Sequence, residues 1–178
     1  MKKILAVIAA VASIIFAGCD KMPSEATMET TATAVGKAAG YVANQTKIDD
    51  KSRTVVIEIM TKAQTVVPSS GQSFADAWTP IAKEITDKLV AEGKIDAAQS
   101  LLINGAFSVA VKGIDYIFTV RYPKAGKYNE LVAAAARGFT GGFLTVFTPS
   151  NAAVSKSAPS DYDKEAYEYL LSTVENKK

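Results

Sequence analysis

The sequence predicts a mainly α fold, a single small helical bundle of about six helices. Three observations carry this. Apolar residues recur at three- and four-residue spacing through most of the chain; Ser73 with Asp76, and Asp96 with Gln99, have the spacing of capping boxes at helix starts; and Pro68, Gly93, Pro123 and Pro149 fall between the periodic segments. The alternative is α+β, with a small antiparallel sheet from residues 54–60, 107–122 and 142–148, where β-branched and aromatic side chains cluster.

Taken in order, Met28, Ala32, Val35, Ala39 and Val42 form a heptad-like stripe of mostly small residues, which predicts a helix packed closely on its own domain. After the polar break at 44–53, Val55, Val56, Ile59, Met60, Ala63, Val66 and Val67 follow helical spacing as far as Pro68. Trp78, Ile81, Ile85 and Leu89 give the next segment an apolar face, Pro80 suits the first position of a helix there, and Gly93 stops it. Residues 97–121 read as one long helix with a polar line at Ser100, Asn104, Ser108, Lys112, Asp115 and Thr119. Leu102, Ala106, Val109, Gly113, Tyr116, Ile117 and Val120 lie on the opposite side. Asn129 caps a helix carrying Leu131, Val132, Ala135, Phe139, Phe143 and Val146. Its Gly138, Gly141 and Gly142 each cost about 1 kcal/mol of helix propensity, which predicts close approach of a second helix, with residues 97–121 as the expected partner. Ser160 and Asp163 open a last helix with Tyr167, Leu170, Leu171 and Val174 on one face.

Composition excludes more than it assigns. The chain has no histidine, which removes the commonest general base and transition-metal ligand, so a Cys/His zinc site and a Ser-His-Asp triad are ruled out. No nucleotide loop or metal-ligand spacing stands out, and no cofactor is expected. Ser69 and Ser70 read as turn residues rather than nucleophiles. Basic and acidic residues nearly balance, 20 against 18, with no basic stripe, so nucleic acid is not an expected partner.

At the N-terminus, Met1-Lys2-Lys3 precedes an uncharged apolar run, Ile4–Phe16, and then Ala17-Gly18-Cys19. The run is shorter than the roughly 20 residues needed to span a bilayer. With Ile15-Phe16-Ala17-Gly18-Cys19, the stretch resembles the signal peptide and lipobox of bacterial lipoproteins. The resemblance implies thioether lipidation of Cys19, cleavage before it, and acyl chains such as palmitate that hold the protein to the membrane, since stable anchoring needs more than one chain. Asp20, directly after the cysteine, resembles the sorting residue that keeps enterobacterial lipoproteins on the periplasmic face of the inner membrane; the outer membrane is the alternative. Cys19 is the single cysteine, so no disulfide framework is expected.

The expected organisation is a cleaved signal over 1–18, a lipidated N-terminus and flexible tether over 19–31, and one helical domain over 32–178. Removing residues 1–18 leaves 160 residues with 18 basic and 18 acidic side chains. The functional expectation is a non-enzymatic interaction or accessory module of the cell envelope, tethered to the membrane and binding another envelope or membrane protein. In signal and size it resembles the lipoproteins that phages and plasmids use for exclusion. The alternative is a lipid or small-molecule carrier with an apolar cavity near Trp78, Phe107 and Phe139.

Overall fold

Helix α1 (Glu25–Asn44) packs along the helix Asn129–Phe147 and also against Ala97–Tyr116 and Lys164–Glu175, while Asp50–Ala63 and Phe74–Ala91 pack on Ala97–Tyr116. The computed structural model describes residues 22–45, 48–69, 72–148 and 162–175. The further helices are α2 (Asp50–Ala63), α3 (Phe74–Ala91), α4 (Ala97–Tyr116), α5 (Asn129–Phe147) and α6 (Lys164–Glu175). Helix α4 runs on into a π-helical turn at Ile117–Arg121, and a short 3-10 turn at Ala125–Lys127 leads into α5. Six α-helices and no strand occur among the described residues, so the mainly α expectation holds. The sheet alternative does not: 54–60 lies in α2, 107–121 in α4 and its π turn, and 142–147 in α5.

Local sequence sets the helix starts. Ser24, Asp49, Ser73 and Asp96 each accept a backbone N–H three residues on, and Asp96 with Gln99 completes a capping box. The Ser24 cap corrects the expected tether, since residues 25–31 are already helical and Met28 is fully buried. Three smaller expectations also shift. The N-cap of α5 is Tyr128 and Asn129 is its first helical residue; α2 ends at Ala63, short of Val67; and Pro80 lies inside α3, on its exposed side, rather than at its first position. Gly93, at φ 65°, ends α3 in the left-handed conformation expected of a stop.

Helices α1 and α5 run parallel at very short separation. Gly36 and Gly40 on α1 face the backbone of Phe139 and Phe143, while Gly138 and Gly142 on α5 face that of Glu29 and Thr33. A Cβ on Gly36 would lie 2.1 Å from the Phe139 carbonyl oxygen, and one on Gly142 would lie 2.1 Å from that of Thr33. Glycine carries a hydrogen there instead, so these C–H bonds aim at carbonyl oxygens, contacts worth about 0.5–1 kcal/mol each. The close-approach expectation is therefore right in kind, but the partner is α1 and not 97–121. A Cβ on Gly105 or Gly141 would meet no other part of the molecule within 4 Å.

Above this seam, Phe139, Phe143 and Phe147 form a ladder along α5 with ring centroids 6.4 and 5.0 Å apart. Trp78 packs on Phe139 and edge-on to Phe74, and its indole N–H donates to the Val66 carbonyl at 2.8 Å. Arg53, only 8% exposed, donates to the Phe147 carbonyl and to Asn44 Oδ1 with its guanidinium over the Phe147 ring, closing the C-terminus of α5. Helix α6 docks by burying Ala166 and Leu170. Its N-cap Asp163 takes both oxygens to Arg121 Nη2 at 2.9 and 2.8 Å.

Candidate functional site

Except at its end, where Thr119 is exposed, the polar line of α4 does not face open solvent. Ser100, Asn104, Ser108, Lys112 and Asp115 are half-buried, and the last four line a groove between α3 and α4. Its volume is about 470 Å³, with Thr79, Lys83 and Asp87 on the α3 wall and Ala82, Phe107 and Val111 as apolar lining.

Each wall is fixed by side-chain bonds. Asn104 Nδ2 reaches Thr86 Oγ1 across the helix pair at 3.4 Å, while Thr86 donates back to the Ala82 carbonyl at 2.9 Å. Asp115 accepts the backbone N–H of Phe74 at 3.1 Å, so α4 supplies an acceptor to the N-terminus of α3 beside its own cap Ser73. Burial pushes the Asp115 carboxyl above its ordinary value. The N–H bonds from Phe74 and Ala75 pull the other way, and Asp76 adds repulsion. Asp115 also borders a smaller pocket of about 110 Å³ on its far side, with Phe74, Phe118 and Val132. Lys83 and Asp87 pair one turn apart at the groove rim.

Turning the polar line inward leaves apolar residues of α4 outside. Leu101 is 75% exposed and Leu102 is 38% exposed, although periodicity places Leu102 on the packed side. Helix α3 is likewise rotated from its expected face: Phe74, Trp78, Ala82 and Thr86 are buried, and Ile81, Ile85 and Leu89 only partly so. With its π turn, α4 has the length and mean hydropathy, 1.4, of a segment able to cross a bilayer, but 56% of that window is buried against its neighbours.

The rings nominated for a ligand cavity fall in the core. Trp78 and Phe139 are fully buried with centroids 6.4 Å apart, and Phe107 is buried along the α3–α4 groove. Cys19 and Asp20, the two site residues taken from the sequence, lie outside the described residues, as does the expected signal at 1–18. The groove was half visible in the sequence: the α4 line marks one wall, but Thr79, Lys83 and Asp87 look like an ordinary solvated helix face until α3 is docked. No family model, curated protein or solved structure matches the chain.

Proposed function

We propose that the protein is an envelope lipoprotein, acylated on Cys19 and held at the periplasmic face of the inner membrane by Asp20, which works as a non-enzymatic interaction module. Its α3–α4 groove takes a segment of another envelope protein. The observation that carries this reading is the groove lining: amide, hydroxyl and both signs of charge (Asn104, Ser108, Thr79, Lys112, Lys83, Asp87, Asp115) over Ala82, Phe107 and Val111. A polypeptide needs donors and acceptors along its backbone together with apolar pockets for side chains, whereas an acyl chain needs only the latter. Tethering supports the same reading, because confinement at the membrane raises effective concentration and lets a modest groove suffice. The carrier alternative is weakened by Trp78 and Phe139, which pack on each other.

A photo-crosslinking residue placed in cells at Thr79 or Ser108, one on each wall, tests this against the same residue at Ser172 on α6. The expected result is one identified envelope protein captured from both walls and not from Ser172. Capture from neither wall, together with a lipid or small molecule retained in native mass spectrometry, would transfer the groove to the carrier reading.

A further inference from the structure

The end of the bundle at which α1 begins carries a second surface. Helix α1 is antiparallel to α4, since Tyr122 lies at Thr31 and Gly113 at Ala39, and parallel to α5, since Gly138 lies at Glu29. The starts of α1 and α5 and the end of α4 therefore share one end. Helix α5 reaches its first residue, Asn129, nine residues before Gly138, which is about 13 Å along the axis from the level of Glu29. The α4–α5 connection thus lies near the level at which the chain enters α1.

Three large apolar or aromatic side chains are exposed there: Met22 (44%), Val120 (51%) and Tyr128 (44%). Val120 sits on the π-helical turn, closed by the Tyr122 N–H on the Ile117 carbonyl at 2.7 Å. Pro123, Lys124 and Lys127 are exposed beside it. Apolar tips, an amphipathic tyrosine and long lysine stems together match the headgroup boundary of a bilayer. The same end is the one the proposed anchor would reach, since Cys19 is only three residues from Met22 in the sequence.

From this juxtaposition we infer that the protein rests end-on on the phospholipid surface, with Val120 and Tyr128 seated among the headgroups and the α3–α4 turn at Glu92–Asp96 pointing away from the membrane. The inference rests on acylation of Cys19. Lys124 and Lys127 share that end with Glu25 and Glu130, so seating depends on apolar burial rather than on attraction to anionic lipid.

The test uses the full lipidated chain in vesicles of phosphatidylethanolamine and phosphatidylglycerol. Acylation blocks the native thiol, so Val120→Cys, Tyr128→Cys and a distal Glu92→Cys each carry one bimane label. Lipid brominated near the carbonyl end of its chains should lower emission at Val120→Cys and Tyr128→Cys, in low and high salt alike, and leave Glu92→Cys unchanged. Intact mass on the same samples reports the acyl groups separately. Acylated protein with no quenching at Val120→Cys and Tyr128→Cys, or with equal quenching at all three sites, overturns the orientation and leaves the anchor standing. An unacylated Cys19 overturns both.

Discussion

Adding one methyl group at a glycine of the α1–α5 seam and at a glycine just outside it should have opposite effects on stability. Gly36→Ala places a Cβ 2.1 Å from the Phe139 carbonyl oxygen and 2.9 Å from both the Phe139 carbonyl carbon and the Phe143 nitrogen. All three are backbone atoms, so a rotamer change cannot relieve the clash and the helices must separate by roughly an ångström. Overpacking of this kind costs about 1–3 kcal/mol, at the upper end where backbone has to move, and the helix-propensity gain of alanine over glycine returns about 1 kcal/mol. The net expectation is a loss of about 2 kcal/mol. Gly141→Ala, next to the seam residue Gly142 but with nothing within 4 Å, keeps only the propensity gain and should stabilise by up to about 1 kcal/mol. Urea denaturation followed by circular dichroism reads both. Combining Gly36→Ala with Gly142→Ala should cost less than the sum, because the first substitution already spreads the helices. A Gly36→Ala variant as stable as Gly141→Ala would refute the close parallel packing.

The remaining expectations concern polar groups. Arg53→Met should cost about 2–3 kcal/mol in the same denaturation experiment, since it leaves the buried Phe147 carbonyl and the Asn44 amide oxygen without their charged donor; Arg53→Lys should restore part of this, because both bonds leave the single nitrogen Nη1, but not the stacking of the guanidinium plane on Phe147. Asp163→Ala removes the α6 cap and the two bonds to Arg121, so hydrogen exchange should accelerate through α6 while α1 and α5 stay protected. Burial raises the Asp115 pKa in the folded state, so that state holds the extra proton between the unfolded and folded values, and stability falls as pH rises through the window. Asp115→Asn should flatten that part of the stability–pH curve, and an unchanged slope would contradict the assignment.

Periodicity was enough to find the helices because most of them bury one face, and caps such as Asp96 with Gln99 act within a single turn of chain. Where the sequence misled, a tertiary contact was responsible. The β-rich stretch Ile114–Tyr122 is helical as far as Arg121 because Ile114, Tyr116 and Ile117 are buried in the helical core, which overrides strand propensity. The glycines of α5 announced a close neighbour but not its identity: Gly36 and Gly40 on α1 lie about a hundred residues earlier in the chain and match Gly138 and Gly142 in spacing. Had the two four-residue glycine spacings been compared, the pairing was legible. The rotation of α3 and α4 was not, because it hangs on Asn104 reaching Thr86 and Asp115 reaching Phe74, bonds that exist only once the helices meet.

The functional account depends on what happens to one side chain, so the most direct test is the intact mass of the protein recovered from the membrane fraction of its host. The account predicts a chain beginning at Cys19 and heavier than its 160 residues by a diacylglyceryl group and further acyl chains, with Cys19→Ser recovered unprocessed. A soluble chain that retains residues 1–18 and a free Cys19 thiol would contradict it.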